Sequence, residues 1–187
     1  GLMDGFREGR LALAVLDDSP LCSEAGKRGL EVFGLGQHKA SPAVLRRLNT
    51  LIRDQKFDVL DTQNPQSKCW AAITCRQTGA ALVSTLNSWY AAEYRGRLKG
   101  RLYQALERWT SPATNRFIAV SGDIRERLRK EGITDERISV IPNAVSETLR
   151  DVPRDPLWLR RKFGLPRSAM VCVAAGRLVW AKGYGTL

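Results

Sequence analysis

The stretch that decides the fold is Ala80-Ala-Leu-Val-Ser-Thr-Leu86, which runs into Asn87-Ser-Trp-Tyr90. Seven residues rich in apolar side chains, opened by Gly79 and closed by an Asn-Ser pair, predict a buried strand. Working upstream, residues 66–77 read as a helix that Gly79 ends, and Phe57-Asp-Val-Leu60 reads as another strand. Before it, Ser41-Pro42 opens a helix with a hydroxyl N-cap and a proline in the first turn. Its stripe Val44, Leu45, Leu48, Leu51 and Ile52 follows the 3.6-residue period. Leu11–Leu16 and Leu30–Phe33 give two earlier strands, the first stopped by Asp17-Asp-Ser-Pro20 and the second bounded by Gly29 and Gly34.

Downstream, Leu98, Leu102, Leu106 and Trp109 share one stripe of a helix over about Leu98–Trp109. Phe117-Ile-Ala-Val120 is a strand that enters a helix at Ser121-Gly-Asp, with Asp123 suited to the positive end of the helix dipole. That helix stops at Gly132, and Ile138-Ser-Val-Ile141 is the next strand, halted by Pro142. Strands alternating with helices at this rhythm predict an α/β protein with a doubly wound parallel sheet covered on both faces. Residues 144–156 turn polar and carry Pro153 and Pro156, the composition of a linker. A helix (Leu157–Phe163) and a strand (Met170–Ala175) then begin a new unit. The expected domains are residues 1–148 and residues 149–187, the latter being linker plus the start of a second domain.

The chain has 187 residues, 43% of them hydrophobic and 26% charged, which excludes a largely disordered chain. No run approaches the roughly 20 apolar residues of a membrane span, and the first residues lack the basic flank and apolar stretch of a signal peptide. Thirty Lys and Arg against 19 Asp and Glu give a net charge of +11. The excess sits in two windows, residues 95–130 and 154–167, and concentrated positive charge favours phosphate-bearing partners. Cys22, Cys69, Cys75 and Cys172 form no CxxC pair, so they read as small buried hydrophobes in a reducing compartment. One histidine, His38, is a poor basis for a metal site.

In open parallel sheets ligands bind at the carboxyl ends of strands, and that rule selects four places. They are Asp61-Thr-Gln-Asn-Pro-Gln66, Asn87-Ser-Trp-Tyr90, the helix start at Ser121-Gly122, and Gly176-Arg-Leu-Val-Trp-Ala-Lys-Gly183. In the last, Arg177 can grip a phosphate with a planar fork and Lys182 adds a point charge, while the glycines let backbone approach. The spacing is not that of a P-loop, and Gly34-Leu-Gly36 lacks the third glycine of a dinucleotide fingerprint. Blander readings stand beside these: Ser121 as a helix cap, Asn143 as a turn residue at the domain junction, Ser88 as an ordinary loop serine.

Several segments together resemble one family. Ile118-Ala-Val-Ser121, Arg137-Ile-Ser-Val-Ile-Pro-Asn-Ala-Val145, Arg161-Lys-Phe-Gly-Leu-Pro166 and Gly176–Tyr184 are similar, in order and spacing, to the GT-B glycosyltransferases of family 4. Asp58–Pro65 and Ser84-Thr-Leu-Asn-Ser88 look like that family's two acceptor-side loops. The resemblance implies two Rossmann-like domains around a cleft and transfer of sugar, with retention, from a nucleotide-sugar to a saccharide or lipid-linked acceptor. It implies no cofactor and no metal. Carried over position by position, Gly176, Arg177 and Lys182 hold the donor diphosphate, and cations aimed at a leaving diphosphate lower the barrier. Asn87 matches the position next to the reacting sugar, where histidine is common; Asp61 and Gln63 also stand where histidines are frequent. An asparagine can donate a hydrogen bond to a sugar hydroxyl but cannot shuttle protons. Asp61, Gln63, Asn64, Ser88, Ser121 and Asn143 fall on the acceptor side.

The family begins with a strand and a glycine-rich loop that nothing before Leu11 supplies, and its carboxylate pair would lie after Leu187. The expectation is therefore an acceptor-side domain without its first strand plus the opening of a donor-side domain, inactive and poorly folded alone. Work in the cytoplasm is expected, with peripheral attachment at the inner membrane face as a further expectation. That attachment rests on Tyr94-Arg-Gly-Arg-Leu-Lys-Gly-Arg-Leu-Tyr103; the alternative is that its leucines pack on the sheet. Two competing functions remain open. A basic nucleic-acid-binding module has the charge in its favour, but its basic windows lack the interleaved aromatics of single-strand binders and any RRM or helix-turn-helix pattern. A catalytically silent sugar-binding relative is favoured by Asn87 and the missing histidines.

Overall fold

A computed structural model describes residues 9–16, 20–36, 41–89, 98–144, 155–176 and 183–186. They fall into two compact units, one ending at Asn143 and one starting at Ala144. The first is a Rossmann-like parallel α/β unit whose elements run β1 (Ala12–Val15), α1 (Pro20–Lys27), β2 (Glu31–Gly34), α2 (Ala43–Gln55), β3 (Val59–Thr62), α3 (Pro65–Thr78), β4 (Ala81–Leu86), α4 (Leu98–Thr110), β5 (Arg116–Ala119), α5 (Gly122–Lys130) and β6 (Ile138–Val140). Every strand pairing is parallel.

The strands form two sheets, β1-β2 and β3-β4-β5-β6. Among the described residues no strand pairs with the remaining edges of β1 and β3. Side chains connect the two sheets instead. Arg10 bonds Glu31 through Nε at 2.6 Å, reaches Gln55 at the end of α2 at 2.6 Å, and lies 5.1 Å from the centre of the Phe57 ring. Leu16, Leu35 and Leu60 pack with Val44, Leu48 and Ile52 of α2, the stripe read from the sequence. Helix α2 starts one residue later than Ser41-Pro42 suggests, with Pro42 at the cap position and Ser41 Oγ accepting from the Ala43 N–H at 3.3 Å. Strand β4 pairs on both sides, and its Leu82 and Leu86 are buried against α3 and α5 respectively.

Four further expectations are corrected. Helix α1 begins at Pro20, which reads in the sequence only as part of a strand stop, because proline suits a first helical turn as well as it ends a strand. The predicted strand Met170–Ala175 does not form. Met170 is 90% and Val173 71% exposed, and no neighbouring strand among the described residues supplies ladder partners. Most of the α4 stripe faces solvent, with Leu98 82%, Leu102 56% and Trp109 47% exposed and Leu106 half-buried, so Leu98 and Leu102 do not pack on the sheet. The helix instead buries Gly100, Thr110 and part of Glu107. None of the four cysteines is in a disulfide; Cys75 is buried and Cys22 and Cys69 are half-buried, but Cys172 is exposed rather than buried.

In the second unit α6 (Trp158–Phe163) ends on Gly164 in the left-handed region at φ +62°. Arg161 pairs with Asp155 before the helix, Lys162 Nζ lies 4.5 Å from the centre of the Trp158 ring, and Arg160 donates to the Ala169 carbonyl at 2.8 Å.

Candidate functional site

The parallel register places Asp61 opposite Val83 and Thr62 opposite Ser84, so the ends of β3 and β4 lie side by side. Three sequence-chosen residues meet there. Gln63 Nε2 donates to Asp61 Oδ2 at 2.5 Å, and Asn87 Nδ2 donates to Gln63 Oε1 at 3.0 Å. A fourth residue, not singled out from sequence, completes the chain: the buried Thr85 hydroxyl donates to Asp61 Oδ1 at 2.9 Å. A hydroxyl inside an apolar strand must find a partner, and that is the signal by which Thr85 could have been found. Thr62 adds a bond from its hydroxyl to the Val83 carbonyl at 3.2 Å, tying the same two strands together.

Asp61 keeps an exposed edge, yet the protein packed around its carboxyl raises its pKa above the ordinary carboxylate value. Hydrogen bonds from Thr85 and Gln63 and from the Thr62 and Thr85 backbone pull the other way without overcoming burial. The described groups facing this carboxylate are uncharged, so among them packing and hydrogen bonds govern its titration.

The other sequence-chosen residues lie elsewhere. Asn64 caps α3: its side chain accepts from the Ser67 N–H at 2.9 Å, with Pro65 in the first turn. Ser121 caps α5 by accepting from the Ile124 N–H at 3.4 Å. Both side-chain oxygens therefore satisfy helix-terminal donors. Ser88 is half-buried and Asn143 exposed, and neither side chain forms a hydrogen bond among the described residues. Gly176 is an exposed bend residue. Arg177 and Lys182 lie outside the described residues, as do His38, Arg95 and Arg97.

Arg137, which opens one of the sequence motifs, does structural work. Its guanidinium donates to the Ser111 carbonyl at 2.6 Å and to the Thr114 carbonyl, and it stands 5.5 Å from the centre of the Phe117 ring. It lines a cleft of about 490 Å³ with Trp89, Glu107, Arg108 and Glu131, and none of Asp61, Gln63, Thr85 and Asn87 is among the lining residues. Arg108 and Gln104 already satisfy Glu131 there, at 3.0 and 3.2 Å. No three His, Cys, Asp or Glu converge as a metal site among the described residues.

Residues 13–149 match the family model described as Glycosyltransferase Family 4, well over half of the chain. The chain belongs to glycosyltransferase family 4. A search of curated proteins returned no significant match. Among solved structures, the Anabaena protein HepE, determined with UDP and with UDP-glucose, superposes with a TM-score of 0.61 at 16% identity. That superposition covers 81% of this chain and 41% of HepE, so the chain spans well under half of that protein. The apo form of the lipopolysaccharide outer core galactosyltransferase WaaB gives a TM-score of 0.48 at 16% identity, over 66% of this chain and 33% of WaaB. The HepE likeness establishes the GT-B type of fold for the parallel unit.

Proposed function

We propose that the complete protein carrying this chain is a retaining hexosyl-type glycosyltransferase that moves a sugar from a nucleotide-sugar to a saccharide or lipid-linked acceptor. The observation that carries the reading is the polar chain Thr85–Asp61–Gln63–Asn87 at the carboxyl ends of β3 and β4, in a chain of family 4. A crevice outside the strand ends is where an open α/β sheet receives ligands. Amide and carboxylate groups there suit sugar hydroxyls, which both give and accept hydrogen bonds. The UDP and UDP-glucose complexes of HepE support a nucleotide-sugar donor. Gly176, Arg177 and Lys182 are the residues we assign to the donor diphosphate, on their sequence match alone. No resident metal is needed in this scheme, since the two cations answer the charge that develops on the leaving diphosphate.

The test is transfer by the complete protein from UDP-, GDP- and ADP-sugars to a panel of octyl glycosides, with the anomeric configuration of the product read by NMR. Arg177→Ala should raise the dissociation constant for the nucleoside diphosphate by about 10-fold or more, the loss of a charge-assisted contact. Unchanged nucleotide affinity in both Arg177→Ala and Lys182→Ala would remove the donor-site assignment. Absence of transfer from every donor would favour the silent relative.

A second reading concerns location, and α4 favours it. The exposed side chains of Leu98, Leu102 and Trp109, with Arg101 exposed beside them, form an amphipathic surface suited to an anionic bilayer. No described helix is long and apolar enough to cross a membrane. Peripheral attachment at the inner membrane face, with the enzyme working in the cytoplasm, is the corresponding proposal.

A further inference from the structure

A carboxylate accepts hydrogen bonds and donates none, and this one-way character runs through the polar chain. Asp61 takes the Thr85 hydroxyl on Oδ1, so its second oxygen, Oδ2, must face a donor, and the group there is the Gln63 amide nitrogen at 2.5 Å. With its nitrogen committed, Gln63 turns Oε1 the other way. The neighbour of Oε1 must then be a donor, and Asn87 supplies Nδ2 at 3.0 Å. Asn87 is exposed, and no described residue donates to its Oδ1. The charge on Asp61 thus fixes the orientation of two amides in sequence, and the last one keeps a carbonyl oxygen that no described residue occupies.

We propose that Thr85 and Asp61 are positioning residues that set the amide polarity of Asn87, so that its Oδ1 receives a hydrogen bond from a hydroxyl of the sugar acceptor. This rests on the glycosyltransferase reading above and makes it more specific: the acceptor hydroxyl donates at this site. An asparagine of free orientation could offer either face, whereas here the donor face is partly spent on Gln63. The chain is also sensitive to protonation. Once Asp61 gains a proton it can donate, and nothing then obliges the Gln63 nitrogen to face it. Burial raises the Asp61 pKa, which moves this switch up from the ordinary carboxylate range. Among the described residues, Thr85, Gln63 and the Thr62 and Thr85 backbone N–H groups face the carboxylate, and none of them carries a charge.

The test uses the complete protein and the octyl glycoside that accepts sugar best. In the wild type the acceptor KM should rise about 3- to 10-fold as pH falls through the Asp61 midpoint, with kcat less affected, since one hydrogen bond is misdirected. Thr85→Val removes a bond to the charged form and should move that acid limb up by about half a pH unit or more. Thr85→Ser, which keeps the hydroxyl, should leave the limb where it is, and Asp61→Asn should abolish it. In ¹⁵N-labelled protein the side-chain NH2 signals of Gln63 and Asn87 should shift with one common midpoint, and stay still in Asp61→Asn. An acid limb that persists in Asp61→Asn, or a midpoint unmoved by Thr85→Val, would overturn the proposal. If the protein transfers no sugar the transferase reading falls, and the NMR titration alone decides the polarity of the chain: Asn87 signals that ignore the Asp61 midpoint refute it.

Discussion

Lys68 is 1% exposed, and the cost of disturbing it can be worked out from its surroundings. Its Nζ lies 2.6 Å from Glu107 Oε2 of α4 and 4.6 Å from the centre of the fully buried Phe117 ring. Burial lowers its pKa, and the neighbouring Glu107 carboxylate partly restores it. Glu107→Gln would leave a nearly inaccessible cation with only a ring and an amide. Removing one partner of a buried pair costs about 3–5 kcal/mol. The lysine can escape by losing its proton, but from an ordinary pKa of about 10.4 this costs about 4.6 kcal/mol at pH 7. The penalty should therefore fall at about 3–4 kcal/mol.

Lys68→Met is milder, because Glu107 is 18% exposed and can turn to water. Its cost is the lost cation–π contact less the relief of desolvation, about 1–2 kcal/mol. Lys68→Met with Glu107→Gln should cost no more than Glu107→Gln alone, giving a coupling of at least about 1–2 kcal/mol. The sign of the pH effect follows from linkage. A base whose folded pKa is lowered binds fewer protons folded than unfolded, so stability rises with pH between the lowered value and about 10.4. The Glu107→Gln deficit should shrink between pH 7 and pH 10. Urea denaturation followed by tryptophan fluorescence measures all three variants. A Glu107→Gln cost below that of Lys68→Met, or strictly additive single effects, would refute the account of a pair held mainly by the buried cation.

The helix caps offer a separate check on the assignment of Asn64 and Ser121. Asn64→Ala and Ser121→Ala should each destabilise by about 1 kcal/mol, while Asn64→Asp and Ser121→Asp retain most of the stability. An acceptor KM that rises while stability is unchanged would instead make them ligand groups. For α4, co-sedimentation with vesicles should favour anionic over neutral lipid and weaken when Leu98 and Leu102 become Gln. Binding equal for both lipids would remove the membrane proposal.

The rhythm of the fold is readable in the sequence because each parallel strand is a short apolar run and each helix carries a period or a cap. Ser41-Pro42, the α2 stripe and Gly79 act locally, within a turn or two of the residues they organise. Misreadings arise where local chemistry is ambiguous or distant contacts decide. Pro20 both ends a strand and starts a helix. The stripe Leu98, Leu102 and Trp109 has helical spacing, but periodicity does not say which side the sheet lies on. Met170–Ala175 is apolar enough for a strand, but a strand also needs a partner edge. Nothing in the sequence marks out Lys68, since Glu107 and Phe117 reach it only through the packing of α3, α4 and β5. In the same way the rule of strand ends found Asp61, Gln63 and Asn87, while their linkage depends on the register of β3 against β4.

That register explains why the site need not depend on the loops around it. Asp61 is within β3 and Thr85 within β4, so the first hydrogen bond of the chain is anchored in ladder-bonded backbone at both ends. Gln63 and Asn87 each lie one residue past a strand, and their short reach limits how far the amides can stray. A histidine at position 87 would bring a titrating ring to this place. Here the titrating group is the carboxylate at the other end of the chain, and its protonation reaches Asn87 only as a change in which atom the amide presents. A sugar hydroxyl bound there is oriented by hydrogen bonding alone, because an amide relays polarity but does not accept the proton. Proton removal from the acceptor must then fall to another group, and a transferase built on this site should show an acid limb in acceptor KM that is separate from the pH dependence of kcat.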